Sequence, residues 1–281
     1  MKSRFFLITL IVVALDIFLW LILARSFFAA DNLTLSFLDV GQGDSQLIEL
    51  PEGPKVLIDS GPDSRVLDEL EVSLGVSRYI DLVIITHPEA DHANGYIHIL
   101  RRYRVGAIAV TGRDKDTESW HELTKMIGDL RIPVVRLGEG DSIRVGNSVF
   151  DILAPNAGFR ESAALNDTAL VIMLKSGGVK TLLTADIGEN VERALVGEYD
   201  IDADILKVGH HGSRFSSSQD FLAEVTPAVA VIQVGKGNRY GHPAQEVLER
   251  LGATGAKIYR NDTDGRIVIT VKDGVARVKK E

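Results

Sequence analysis

Residues 87–92 read His-Pro-Glu-Ala-Asp-His, which places two imidazoles and two carboxylates in one short segment. In a tight loop these side chains can face two metal ions, and hydrolytic two-metal sites hold their ions about 3.5–4 Å apart. The alternative is a polar turn that is capped by its Asp and His residues. The spacing predicts a two-metal hydrolytic centre, with ligands drawn from His87, Glu89, Asp91 and His92.

Three further metal-capable positions stand directly after strand-like apolar runs, as the 87–92 loop does. They are Asp59, Asp186 and the pair His210-His211. Loops at the ends of a rigid sheet are where side chains from distant parts of a chain converge on one site. A carboxylate can give one oxygen to each of two ions, so we expect Asp186 to bridge them. His210 or His211 would complete the set.

Other polar residues near these motifs could act on a substrate. Asp91 could orient a water molecule or take its proton, and His211 and His242 could contact phosphoryl oxygens or protonate a leaving group. The competing interpretations are that His211 only orients its neighbour and that His242 caps the last long helix. The 41–45 turn carries two glycines, which favours a tight hairpin turn over an anion-binding loop.

Composition narrows the chemistry of the site. The chain has no cysteine, so disulfides and thiolate ligands are excluded and any metal must be held by imidazole and carboxylate. The formal net charge of -8 argues against broad, non-specific capture of a polyanion. It leaves phosphodiester chemistry open, because bound cations reverse the local field.

The apolar runs that must position these residues are short and are separated by Gly and Pro turns. Runs at 33–38, 46–50 and 55–58 predict three strands joined by hairpins, and 80–86 predicts a buried strand that leads into the His loop. Helical spacing recurs between later strands. We expect one domain over 31–281, of mixed α and β structure, in which helices cover two sheets.

The first 30 residues form a separate, apolar segment. Residues 5–24 contain a single charged residue, Asp16, and match the ~20 apolar residues that a membrane-spanning helix needs. A cleaved signal peptide is the alternative, although its apolar region is usually shorter, about 7–15 residues. Lys2 and Arg4 precede the span and Arg25 follows it. The positive-inside rule then predicts an anchor at 1–30 with residues 31–281 outside the cytoplasm.

The chain resembles the metallo-β-lactamase superfamily and, within it, the extracytoplasmic hydrolase domain of ComEC-type DNA-uptake proteins. The motifs that carry the resemblance occur in the family's order. They are LDVGQGDS (38–45), LIDSG (57–61), THPEADHANG (86–95), NDT (166–168), LLTADI (182–187), LKVGHHGS (206–213) and NRYGHP (238–243). The combination is specific for this branch, whereas the His loop alone would indicate only the superfamily.

The resemblance implies a fold and a set of roles. The fold is a four-layer αββα sandwich of the α+β class with the site at one edge, here preceded by one transmembrane helix. One metal would be held by His87 and Glu89, the other by Asp91 and His92, and Asp186 would bridge them. The implied ligand set is His87, Glu89, Asp91, His92, Asp186 and His210. Residues that would orient ligands or contact substrate are Asp44, Asp59, Asn166, Asp167 and Ser213.

Two departures from the broader superfamily bear on the metal. Glu89, Asn166 and Asp167 stand where that superfamily usually has His, although an acidic residue at 89 suits the ComEC branch. More oxygen and fewer nitrogen ligands make a harder site. We therefore expect two divalent ions and leave Mn²⁺ and Zn²⁺ both open.

The reaction that these expectations favour is phosphodiester hydrolysis by a metal-activated hydroxide, with extracytoplasmic DNA as substrate and a nuclease as the enzyme class. One alternative is a hydrolase of a small envelope phosphodiester of the phosphocholine-ester type. Another is a non-catalytic metal-binding module of a DNA-uptake or envelope complex. ComEC-type proteins also carry a channel domain, which this sequence lacks, so a separate channel protein is an expected partner.

Overall fold

A computed structural model of the chain describes residues 9–20 and 32–281. Residues 9–20 form an exposed helix, α1. No helix in these two ranges is both long and apolar enough to span a bilayer. The predicted membrane-spanning segment, 5–24, extends at both ends into residues that lie outside the described ranges.

The body of the chain alternates strands with helices. The strands are β1 (Leu33–Phe37), β2 (Gln46–Glu49), β3 (Lys55–Ile58), β4 (Tyr79–Ile85), β5 (Arg104–Val110), β6 (Val134–Arg136), β7 (Ser142–Val145), β8 (Ser148–Ala154), β9 (Val171–Ser176), β10 (Val179–Leu183), β11 (Ile205–Lys207), β12 (Val229–Ile232), β13 (Lys257–Arg260), β14 (Ile267–Lys272) and β15 (Val275–Lys280). The helices are α2 (Arg65–Leu74), α3 (Ala90–Ala93), α4 (Gly95–Ile99), α5 (Glu118–Asp129), α6 (Glu189–Leu195), α7 (Gln219–Val225), α8 (Gln245–Ala253) and α9 (Asn261–Asp264).

These strands form two sheets. The first has the order β15-β14-β1-β2-β3-β4-β5-β6, and the second has the order β13-β12-β11-β10-β9-β8-β7. The predicted hairpins are confirmed, because β1, β2 and β3 pair antiparallel. From β3 to β6 and from β10 to β13 the pairing is parallel. The loops that carry the candidate ligands leave the carboxyl ends of these parallel strands, where open sheets bind ligands.

Three apolar layers hold the sandwich together. The central one lies between the sheets and includes Phe37 from β1 and Phe150 from β8. Helices α2, α4 and α5 bury their apolar faces on the outside of the first sheet, and α6, α7 and α8 do so on the second. The second half of β4, residues 82–85, is a continuous apolar run because both faces of the strand are buried there, with Ile84 between the sheets and Val83 under the helices. The predicted two-sheet architecture with helices outside is confirmed.

Candidate metal centre

Asp59 orients two of the four candidate imidazoles. It follows β3 directly, and its Oδ2 accepts hydrogen bonds from His92 Nδ1 and from the Thr86 hydroxyl, each at 2.7 Å. Thr86 Oγ1 has thereby used its proton, so it accepts from His87 Nδ1 at 3.0 Å. Both rings carry their proton on Nδ1 and leave Nε2 free. Such fixing of the tautomer by a carboxylate is typical of metal-ligating histidines.

His211 reaches the centre from the second sheet in the same way. Its Nδ1 donates to the carbonyl oxygen of Gln233 at 2.8 Å, so Nε2 faces the centre. That nitrogen lies 3.3 Å from Asp91 Oδ2 and 3.3 Å from Asp186 Oδ2. His92 Nε2 lies at the same distance, 3.3 Å, from Asp186 Oδ2. Asp186 therefore stands between imidazoles that come from different sheets.

The backbone at this edge is strained. Asp59, Ala185, His210 and His211 all have φ between 46° and 56°, a left-handed conformation that residues other than glycine rarely adopt. Each such residue costs about 1–3 kcal/mol, and the cost is met only where the surrounding structure fixes the conformation. Such strain is concentrated at functional sites. Here it turns the side chains that follow β3, β10 and β11 toward one point.

Four of the candidate ligands form a group whose donor atoms suit a divalent cation. One ligand atom from each of Asp91, His92, Asp186 and His211 lies within 4.8 Å of the other three. His87 Nε2 and Asp186 Oδ1 are also buried, and neither has a hydrogen-bond partner among residues 9–20 and 32–281. Buried polar atoms without partners cost free energy, and coordination to a cation removes that cost. The residues present therefore fit a divalent metal site.

The pKa shifts of these His and Asp side chains also suit a divalent cation. Burial lowers the pKa of His87 to about 3, so this imidazole is neutral, as a ligand must be. Burial alone would raise the pKa of Asp186, but His211 and His92 hold it well below its usual range. Conversely, burial opposes charge on His92 and His211, while Asp186 raises the pKa of each well above its usual value. A cation would displace these imidazole protons and compensate the same carboxylate.

Other predicted site residues lie further from this group. Glu89 pairs with Lys115, whose Nζ lies 2.5 Å from Glu89 Oε2. His210, which the resemblance implied as a ligand, has its Nε2 at 3.9 Å from Asp186 Oδ2. Its neighbour His211 occupies the central position instead. Asn166 Nδ2 is 3.5 Å from His210 Nε2.

Asp167 and Ser213 make local contacts only. Asp167 Oδ2 accepts from the Ser162 hydroxyl at 3.1 Å, and Ser213 Oγ accepts from the backbone N–H of Phe215 at 3.4 Å. No contact found in residues 32–281 links either side chain to the four-residue group.

An open cleft of about 220 Å³ leads to the group. Its lining includes Glu89, Asp91, Asn166, Asp186, His211 and His242. His242 lies on the far side, and its ring centroid is 5.9 Å from that of His210. Sequence reasoning thus placed most of the lining at one site.

An ion pair that sequence reasoning missed lies buried beneath the group. Lys207 of β11 and Asp44 of the 41–45 turn are both inaccessible to solvent and contact each other directly. Lys207 Nζ also donates to the carbonyl oxygen of Ala185 at 2.8 Å and lies 3.8 Å from Asp186 Oδ1. Asp44 Oδ1 lies 3.3 Å from His211 Nδ1. A lysine inside an otherwise apolar strand was the signal that could have revealed this pair.

The 41–45 turn packs against the His loop. The backbone N–H of Asp44 donates to the carbonyl oxygen of Asp91 at 3.1 Å. A Cβ on Gly43, whose φ is +150°, would lie 2.3 Å from that oxygen. Glycine is required at this position because the backbones of the turn and of the His loop approach closely.

Comparison with known proteins decides the family. The sequence model of the metallo-β-lactamase superfamily matches residues 38–236, which contain every candidate ligand. The chain belongs to the metallo-β-lactamase superfamily. The expectation from the sequence motifs is therefore confirmed.

Two of the curated relatives of this metallo-β-lactamase chain are competence-related. "ComE operon protein 3" of Bacillus subtilis is 28% identical over 261 residues, which are 86% of this chain and 33% of that protein. "Competence protein ComA" of Neisseria gonorrhoeae is 28% identical over 246 residues, again 86% of this chain and 33% of that protein. The chain thus spans about a third of the length of these relatives.

Solved metallo-β-lactamase folds resemble the structure at low identity. The diiron β-hydroxylase CmlA from Streptomyces venezuelae gives a TM-score of 0.54 at 13% identity, covering 89% of this chain and 54% of CmlA. YhfI from Bacillus subtilis gives 0.52 at 13% identity, covering 81% of this chain and 96% of YhfI. These similarities support the fold alone.

Proposed function

We propose that this chain is a metal-dependent phosphodiesterase that cleaves DNA, with two divalent ions in the cleft. The observation that carries the proposal is the group of Asp91, His92, Asp186 and His211 at the base of an open cleft. Superfamily membership and this group support a metallohydrolase, and the competence relatives favour DNA as the substrate.

The residues divide the work as follows. The side chains that would hold the ions are His87, Asp91, His92, Asp186 and His211, with Glu89 and His210 at the margins. Bound divalent ions polarise a phosphoryl oxygen and lower the pKa of a water molecule.

Asp91 is the residue best placed to orient a water molecule or to take its proton. Its side chain is 34% exposed at the cleft while its Oδ2 contacts His211 Nε2. Burial raises its pKa, but the hydrogen bond with His211 and the charges of His92 and His211 together lower the pKa below its usual value, so the carboxylate is ionised at neutral pH. His242 lines the same cleft and could protonate a leaving oxygen. The carboxylate content of the set favours Mn²⁺ over Zn²⁺.

The test is a substrate panel with the full-length chain, stripped of metal by a chelator and supplied with Mn²⁺ or Zn²⁺. We expect cleavage of DNA with metal and none without it. Asp91→Ala should slow cleavage by about 100-fold or more, the usual contribution of a proton-transfer group. Single-stranded DNA, duplex DNA, bis(p-nitrophenyl) phosphate and p-nitrophenyl phosphocholine are the substrates to compare.

The same panel separates the alternatives. The small cleft and the net charge of -8 favour a small phosphodiester as the second candidate. Hydrolysis of the phosphocholine ester without cleavage of any DNA would establish that candidate and refute the nuclease. A purified protein that binds no metal and hydrolyses nothing would instead be a non-catalytic module.

We further propose that the hydrolase domain lies outside the cytoplasm, anchored through residues 5–24, and that a separate channel protein is its partner. The apolar composition of 5–24 and the excess of positive charge before it support this orientation. The chain should stay with membranes during carbonate extraction, and protease added to spheroplasts should degrade 31–281. Release into the carbonate supernatant would contradict the anchor.

A further inference from the structure

The loop between β12 and α8 holds an exposed aromatic ring at the mouth of the cleft. Tyr240 lines the cleft together with Asp91 and Asp186, yet the residue is 56% exposed. Its ring stacks on His242, with centroids 5.9 Å apart and planes 15° from parallel. The offset-parallel arrangement is the one that aromatic pairs prefer.

This ring is held in place by a rigid loop. Asn238 Oδ1 accepts from the backbone N–H groups of Tyr240 and His242, each at 3.1 Å. Asn238 Nδ2 donates to the carbonyl oxygens of Gly235 at 3.1 Å and His242 at 2.7 Å. One side chain thus makes all four hydrogen bonds of its amide to fix the loop. Burial of Tyr240 does not explain why the loop is fixed in this way, because more than half of the residue is exposed to solvent.

A cation accompanies the ring. The Arg239 guanidinium carbon lies 5.2 Å from the Tyr240 ring centroid, and its Nη2 donates to the Tyr240 hydroxyl at 3.2 Å. Arg239 itself is exposed, so it can leave the ring and contact a phosphate at little cost. An aromatic face with an adjacent guanidinium matches a nucleotide, whose base stacks and whose phosphate is anionic.

The ring also continues a row that reaches the centre. Successive ring centroids from Tyr240 through His242, His210 and His211 to His92 are 5.9, 5.9, 6.1 and 5.7 Å apart. A nucleobase that stacked on Tyr240 would therefore lie in the same cleft as the carboxylates of Asp91 and Asp186.

We propose that Tyr240 and Arg239 form a nucleobase-stacking subsite that takes an unpaired base next to the phosphodiester to be cleaved. The subsite deepens the proposed nuclease function by specifying single-stranded nucleic acid, because a paired base has no free face to stack.

The test measures binding of the full-length, metal-free chain in a chelator to two fluorescent oligonucleotides. One is a deoxythymidine 12-mer, and the other carries abasic units with the same phosphates. Tyr240→Ala should weaken binding of the thymidine strand about 5- to 100-fold, the usual contribution of one stacked base. It should leave binding of the abasic strand unchanged. Tyr240→Phe keeps the ring and should bind like the original chain.

A matched control is Tyr79→Ala. Tyr79 is 45% exposed but begins β4, at the end opposite the His loop, so its loss should not affect binding. Equal weakening of both strands by Tyr240→Ala, or none of either, would overturn the subsite. Hydrolysis of bis(p-nitrophenyl) phosphate by the unmodified chain tests the phosphodiesterase separately. If the chain hydrolyses this ester but Tyr240→Ala does not weaken binding of the thymidine strand selectively, only the subsite is refuted.

Discussion

Replacing Asp186 with Asn is expected to remove metal binding and, with it, the proposed phosphodiesterase activity, with kcat falling about 10³-fold. The carboxylate contacts imidazoles from both sheets, at 3.3 Å from His92 Nε2 and 3.3 Å from His211 Nε2. An amide keeps the shape of the side chain but loses the negative charge that would balance the proposed cations. Metal ions contribute several kcal/mol to transition-state stabilisation, and 1.36 kcal/mol corresponds to tenfold in rate.

Metal content of the purified variant and its DNA-cleavage rate are the two measurements. Asp200→Asn is the matched control, because Asp200 is 74% exposed and pairs with Lys180 on the surface. Near-UV circular dichroism should show that both variants fold. A variant of Asp186 that kept two ions and full activity would show that this carboxylate does not hold the metals.

Replacing Lys207 with Met should lower the free energy of unfolding by about 3–5 kcal/mol, because it leaves the Asp44 charge buried without its ammonium partner. Both side chains are fully buried. Burial raises the pKa of Asp44, but Lys207, together with His211 and His92, holds it below its usual value. The ordinary pKa is restored on unfolding. The stabilisation from ionised Asp44 is therefore present above that ordinary pKa and is lost as pH falls through the lower folded value.

Urea denaturation of the metal-free chain at neutral pH measures this effect. Combining Lys207→Met with Asp44→Asn removes both charges and should recover a large part of the loss, since the unpaired charge is gone. If the losses of the two single variants simply add in the double variant, the pair does not contribute as described.

Much of the fold could be predicted from the sequence because its apolar runs are short, regular and bounded by turns. The segment 55–58 and the strand β3 coincide, and the predicted strand at 80–86 is β4 shifted by one residue. The brief strand β7 and the seven-residue helix α7 were missed. Their sequences, SIRV and QDFLAEV, are too short to show the hydrophobic periodicity of a strand or a helix.

The site was harder to predict in detail. Which of two adjacent histidines enters the centre depends on left-handed backbone at both, with φ of 48° at His210 and 54° at His211. No periodicity encodes that turn. The contact between Lys115 and Glu89 joins loops from different strands and likewise has no local signature.

Each of the two sheets contributes part of the candidate ligand group. Asp91 comes from the first sheet and His211 from the second, and 120 residues of chain separate them. Neither sheet holds the full ligand group, so ions can bind tightly only after the sheets have docked. Contacts that form this late contribute little to the folding transition state and mainly slow the reverse reaction. Bound metal would therefore stabilise the docked sheets mainly by slowing their unfolding.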